Sequence, residues 1–145
     1  MRDIQTVLEW WGGWAAQNND SVDYSPIAAG FKGLLPATKR SRPSCSDDDG
    51  LIMNSVMVKL KQSNPYFHQL IIAYYVLRLP LRTLGNKQGI SHNQVLKRLQ
   101  SAEGFIDGCL AMAEITLEMD RYCQKENVYE PVKKRCVITK SNLLC

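Results

Sequence analysis

The stretch LPLRTLGNKQGISHNQVLKRLQ, residues 79–100, constrains this chain more than any other. Pro80 suits the opening of a short helix, because its fixed φ fits a first turn and its missing N–H has no partner there to lose. That helix is expected to run through Lys87. Gly89 then supplies a turn, since glycine enters the left-handed region without a Cβ clash. Ile90 packs after the turn, and Ser91 caps the next helix. Short helix, glycine turn, capped helix is the helix-turn-helix plan. Leu84, Ile90, Val95 and Leu99 are the apolar positions that hold such a pair together. Gly85 stands where crossing helices need a small side chain, although alanine is the more helix-stable choice.

Side chains placed at 100° per residue put Val95, Leu99 and Ala102 on the inner face of the second helix. The outer face then centres on Asn93, Lys97 and Gln100, flanked by Gln94 and Ser101, with His92 and Arg98 at the shoulders. Asn and Gln can pair with adenine, and Arg or Lys can read guanine. Arg82, Lys87 and Gln88 lie on the preceding helix or turn, where phosphate contacts belong. The other reading of the same pattern is an ordinary helical pair with a solvated outer face.

Charge placement bears on that choice. The net charge is +4, but residues 65–103 hold Arg78, Arg82, Lys87, Lys97 and Arg98 against Glu103 alone. Residues 104–124 reverse the sign, and the tail from 125 is basic again. Such asymmetry favours an anionic partner for the middle segment over a uniformly sticky surface. The chain has 145 residues, 45% of them hydrophobic and 22% charged, which suits one compact folded domain or two very small ones. No apolar run approaches the ~18 residues of a membrane span. The N-terminus lacks the apolar core of a signal peptide, so a cytosolic protein is expected. The cysteines, Cys45, Cys109, Cys123, Cys136 and Cys145, are odd in number and never spaced C-x-x-C, which gives neither a disulfide framework nor a zinc site. Cys109 falls on the expected core stripe. No nucleophile–base pair, metal-ligand set or cofactor motif is legible, so no enzymatic role is assigned.

Elsewhere, helical spacing of Ile4, Val7, Leu8, Trp11 and Ala15 predicts a helix over 3–18. WWGGW interrupts it: either the helix bends at Gly12 and Gly13 or another backbone comes close. Trp10, Trp11 and Trp14 span both sides of that helix, so at least one should lie at a surface or interface; an aromatic core anchor is the plainer reading of them, and an exposed contact for a protein partner the sharper one. Ser25 and Pro26 open a short helix, and Lys39, Arg40 and Arg42 sit in the loop PATKRSRPSCS, where they either grip a phosphate or an acidic protein surface or simply stand in solvent. A helix over 47–62 gains its N-terminus from Asp47, Asp48 and Asp49, with Leu51, Ile52, Val56, Met57 and Leu60 as its core face. A metal reading of the acids is weaker, because a helix start explains them. Asn64 and Pro65 begin a further helix, with Leu70, Tyr74 and Leu77 on one face. It ends before Pro80, which pushes Leu79 from the helical region. His68, near its start, reads as a surface or capping histidine.

Val95, Leu99, Ala102, Ile106, Cys109, Ala113 and Leu117 step by three and four, a near-heptad stripe. The reading helix is therefore expected to extend into one long C-terminal helix. Gly104 and Gly108 on it would permit close helix approach. Beyond YEP the tail is either a strand at RCVIT or disordered.

LPLRTLGNKQGISHNQVLKRLQSA resembles region 4 of bacterial sigma factors. MRDIQTVLEWWGGWAA, SPIAAGFKGL, SRPSCSDDDG, KRLQSAEG and LEMD together resemble the late-gene antitermination Q proteins of lambdoid phages, in their small, zinc-free class, over about residues 1–122. Patterning and resemblance together give an all-α domain over 1–124, with the helix-turn-helix at about 80–103; the basic tail at 125–145 lies outside the resemblance, and its role stays open. The resemblance also implies a factor of the host cytoplasm that binds double-stranded DNA near the late promoter, with room for a second copy on adjacent DNA. Such a factor joins RNA polymerase paused through sigma, suppresses pausing and termination, and narrows the exit channel around nascent RNA. Ser91, Asn93, Gln94, Lys97 and Arg98 carry over as the DNA-reading residues. The Ile27–Leu34 and Arg40–Asp49 motifs, with Lys32, Lys39, Arg40 and Arg42, and the tryptophans are assigned to polymerase or RNA-channel contacts. Two rivals stand beside this reading: a promoter-bound activator or repressor that never travels with polymerase, and a helical protein-interaction module.

Overall fold

A computed structural model describes residues 2–17 and 42–124. The described chain is all-α. Its helices are α1 (Ile4–Gln17), α2 (Asp47–Ser63), α3 (Pro65–Ile71), α4 (Leu81–Gln88) and α5 (His92–Met112). A π-helical turn, Ile72–Val76, continues α3, and a 3-10 turn, Glu118–Tyr122, follows α5. The short helix expected from Ser25, the basic residues Lys32, Lys39 and Arg40, and the tail lie outside the described residues.

α1 is the central strut, and its glycines admit close backbone neighbours instead of a bend. A Cβ on Gly12 would sit 2.2 Å from the Tyr75 carbonyl oxygen, and one on Gly13 2.1 Å from that of Pro43. The helix therefore runs unbroken through WWGGW. Trp11 is fully buried and donates its indole N–H to Asn54 Oδ1 at 3.1 Å. Trp14 lies against Gly50, where a Cβ would come within 2.4 Å of the indole, and donates to Asp47 Oδ1 at 2.8 Å. Both indoles are core anchors, which removes Trp11 and Trp14 as surface contacts for a partner. Trp10 is the half-buried member, stacked on Tyr122 with ring centroids 6.0 Å apart.

α2 starts at Ser46, whose hydroxyl accepts the Asp49 N–H. Asp47 and Asp48 complement the positive end of the helix dipole. Asp49 is buried and works elsewhere: its carboxylate accepts the backbone N–H groups of Glu118 and Met119, each at 2.9 Å. Among the described residues no group of three or more acidic, His or Cys side chains could hold a metal ion. The indole of Trp14 selects the face containing Gly50, so Met53, Val56, Met57 and Leu60 are buried. Leu51 turns out to solvent, 55% exposed, contrary to its expected core position.

Asn64 accepts the Phe67 N–H, and Pro65 occupies the first turn of α3, as the sequence leads one to expect. His68 is buried, not a surface group; burial, with Lys61 nearby, lowers its pKa. The π turn changes the expected face. Its wider spiral buries Ile71, Ile72, Ala73, Tyr75 and Val76 together with Leu70, and leaves Tyr74 and Leu77 half-buried. Arg78 ends the element in the left-handed region, at φ 59°, and the Leu79 N–H reaches back to the Ala73 carbonyl at 3.0 Å. Arg42 supplies the remaining end cap. Its guanidinium donates to the carbonyl oxygens of Val76, at 3.0 Å, and Tyr75.

The long C-terminal helix stops earlier than its near-heptad stripe suggests. α5 ends at Met112, and Glu114 adopts φ 54°. The Ile115 N–H returns to the Leu110 carbonyl at 3.0 Å and the Glu114 N–H to that of Ala111 at 3.1 Å, a Schellman termination with glutamate in the place glycine usually takes. The inner stripe is consequently Val95, Leu99, Ala102, Ile106 and Leu110, with Cys109 half-buried and Ala113 exposed. Leu117 is still buried, but from the returning segment. That segment is held by Arg2, which donates to both Asp120 carboxylate oxygens at 2.7 and 2.9 Å. An isolated antiparallel bridge joins Arg2 to Gln124. Burial pushes the Cys45 thiol up to about 12 and the Cys123 thiol to about 11, so both stay protonated.

Candidate nucleic-acid interface

The connection between α4 and α5 is three residues long. Gly89 takes φ 72°, and its N–H together with that of Ile90 returns to the Gly85 carbonyl. A Cβ on Gly85 would lie 2.7 Å from the Ile90 carbonyl oxygen. Glycine is there for the backbone of the turn itself, not for a crossing helix, and alanine would not fit. Leu84, Val95 and Leu99 are fully buried and Ile90 half-buried, so the expected apolar contacts between the two helices are present.

Ser91 and Gln94 form a reciprocal capping box. The Gln94 N–H donates to Ser91 Oγ at 3.2 Å, and the Ser91 N–H to Gln94 Oε1 at 3.1 Å. Their side chains are thereby engaged at the helix start. Asn93, Lys97 and Gln100 are exposed on the outer face, with His92 exposed at the first helical position. Arg82 and Lys87 are exposed on α4.

Gln88 and Arg98 are braced by a residue the sequence reading passed over. Arg98 Nη1 donates to the Tyr66 hydroxyl at 3.1 Å and its guanidinium lies 5.6 Å from the Tyr66 ring centroid. Tyr66 in turn donates to Gln88 Oε1. This chain links the start of α3, the end of α4 and the outer shoulder of α5. Tyr66 has no periodicity to betray it; only its place in the first turn, two residues after the Asn64 cap, hints that its hydroxyl can reach outward.

The second missed residue lies on the inner face. Glu103 is buried in α5. It accepts the Tyr75 hydroxyl at 2.6 Å and the Gln5 amide at 3.3 Å, tying the helix to α3's π turn and to α1. Burial raises its pKa, against hydrogen bonds from Tyr75 and Gln5 that lower it. The outer row of α5 is therefore carried on a helix fixed from three sides.

A separate apolar groove of about 1100 Å³ runs between α2 and α5, lined by Ile52, Val56, Phe105, Cys109 and Met112 among others. Gly104 and Gly108 face it with open space above them, so they do not mediate close helix packing among the described residues. Met112 is 88% exposed at its rim. No helix among the described residues is long and apolar enough to cross a membrane.

The family model described as phage antitermination protein Q matches residues 1–118. The chain is 48% identical to antitermination protein Q of Escherichia phage 933W over 126 residues, covering 87% of this chain and 88% of the relative. It is 47% identical to the prophage antitermination protein Q homolog QuuD of Escherichia coli K12, covering 88% of this chain and all of the relative. A probable antitermination protein Q of Acyrthosiphon pisum secondary endosymbiont phage 1 is 47% identical over 133 residues. No solved structure matches the chain.

Proposed function

The chain belongs to the phage antitermination protein Q family and is a phage antitermination factor, and from that premise we propose that it reaches transcription through duplex DNA. In this reading the unit Leu81–Met112 is a helix-turn-helix whose second helix enters the major groove. The observation that carries the reading is the row Asn93, Lys97 and Gln100, exposed and without side-chain partners among the described residues, on a helix locked by Glu103 and Leu99. Asn93 and Gln100 read bases, and Lys97 reads guanine or a nearby phosphate. Arg82, Lys87 and His92 contact the sugar-phosphate backbone. Ser91 and Gln94 position the helix through their capping box, while Gln88 and Arg98 act through the Tyr66 brace.

We place the subsequent steps on the same footing. Bound near the late promoter, in the host cytoplasm, the protein loads onto RNA polymerase paused through sigma and travels with it, narrowing the exit channel for nascent RNA. Trp10, Lys32, Lys39 and Arg40 are the proposed polymerase or RNA-facing residues of a domain ending near 124, with a basic tail beyond. The apolar groove between α2 and α5 favours a protein contact as well, and an interaction module that ignores DNA is the rival it supports.

Duplexes enriched from a random-sequence pool separate these readings. Asn93→Ala should relax sequence choice. Lys97→Ala, if its contact is to phosphate, should weaken all sequences alike and lower the salt slope by about one contact. A pool that enriches nothing, with binding insensitive to salt, would remove the DNA reading.

A further inference from the structure

A second concentration of positive charge lies beside the helical pair. A cleft of about 300 Å³ is lined by Arg42, Arg78, Glu9, Tyr74 and Pro80, among others. Arg42 is anchored through its two donations to the end of α3, which leaves it further N–H groups, since a guanidinium carries five. Arg78 is exposed, and its side chain has no hydrogen-bonding or ion-pair partner among the described residues. Burial, and after it the nearby charge of Arg78, disfavours the charged form of Arg42, with Glu9 opposing that effect. Glu9 is exposed and forms no ion pair with either arginine among the described residues.

The fold holds these like charges together at a backbone cost. Arg78 occupies a left-handed conformation that side chains other than glycine rarely adopt. Pro80, two residues further on, opens α4 with no side-chain cap and no acid in the first turn, and Arg82 follows. Positive charge at the positive end of a helix is the unfavourable sign. Two arginines on one cleft, one rigid and one unpartnered, form a fork for a phosphate oxygen pair.

We propose that Arg42 and Arg78 form a phosphate-binding cleft that grips one phosphodiester of the DNA strand flanking the site read by α5. The inference rests on the DNA reading above and adds an anchoring contact to it. The cleft carries no sequence information; it fixes where the recognition helix lies along the groove. Glu9 moderates its affinity by opposing the phosphate charge.

Arg78→Gly is the cleanest probe, because glycine accepts φ 59° without strain and the variant should fold at least as well as the parent. Binding is measured by fluorescence anisotropy on the duplexes enriched by the unaltered protein. Arg78→Gly should weaken them about tenfold, as for loss of one charge-assisted contact, and lower the salt slope by about 0.9 with sequence preference unchanged. Glu9→Gln should tighten binding. A scan of single methylphosphonates should find one flanking phosphate whose neutralisation weakens the unaltered protein but not Arg78→Gly. Enriched duplexes bound equally by Arg78→Gly would overturn the cleft and leave the DNA reading standing. A pool that enriches nothing would take both. Loss confined to single-stranded RNA would overturn it in favour of an RNA contact.

Discussion

Tyr75 and Glu103 share a buried hydrogen bond of 2.6 Å that joins the π turn after α3 to the inner face of α5. It is a polar bolt within the core, and it holds the helix whose opposite face leaves Asn93, Lys97 and Gln100 exposed. Tyr75→Phe leaves Glu103 with only the Gln5 amide, and should cost about 1–3 kcal/mol in urea unfolding. Glu103→Gln keeps a neutral acceptor for the Tyr75 hydroxyl and should cost less than Tyr75→Phe.

The same pair sets one pH dependence. Burial raises the Glu103 pKa in the folded state above its ordinary value near 4.5. Its favourable contribution is therefore complete below that value and is lost as pH rises through the folded pKa. Glu103→Gln should flatten this fall in stability. A parent and variant with parallel stability curves across that range would contradict the assignment.

Asp120 gives the opposite sign. Burial acts to raise its pKa, but the hydrogen bond and charge of Arg2 and the Leu117 N–H outweigh it and bring the pKa below the ordinary 3.8. Its contribution is present above 3.8 and lost as pH falls through the folded value. Asp120→Asn should blunt acid unfolding at that end and loosen the returning segment, seen as faster amide exchange at Asp3, whose N–H donates to the Cys123 carbonyl, and at Cys123, whose N–H donates to the Asp120 carbonyl.

The glycines divide into two classes that thermal melts can distinguish. Gly12→Ala and Gly85→Ala push a methyl into a backbone carbonyl and should destabilise by about 3 kcal/mol or more. Gly104→Ala and Gly108→Ala meet open space inside a helix and should each stabilise by about 0.5–1 kcal/mol. Equal effects in the two classes would contradict the packing of α1 and the turn.

Local signals carried much of this fold into the sequence. Asn64–Pro65, Gly89 and Ser91 announce their helix boundaries, because capping and left-handed backbone depend on near neighbours. What stayed hidden depends on distant ones. Glu114 ends α5 in a conformation no sequence rule assigns to glutamate, and the returning segment that rewards it is fixed by Arg2 and Asp49. The exposure of Leu51 and the burial of His68 and Trp14 turned on which face α1 and the π turn select. On the outer face of α5, the exposure of Asn93, Lys97 and Gln100 was legible from helical periodicity. The Tyr66 brace and the Glu103 bolt were not, since each joins elements far apart in the chain.

In vitro transcription through an intrinsic terminator tests the central claim most directly. The template carries a promoter with a sigma-dependent pause and an enriched binding duplex placed beside it. The unaltered protein should raise readthrough only when that duplex is present, and Asn93→Ala should lose the effect on the same template. Normal DNA binding with unchanged readthrough would contradict the loading account and leave a promoter-bound regulator. Equal readthrough with and without the duplex would show that DNA recognition is not how this protein reaches polymerase.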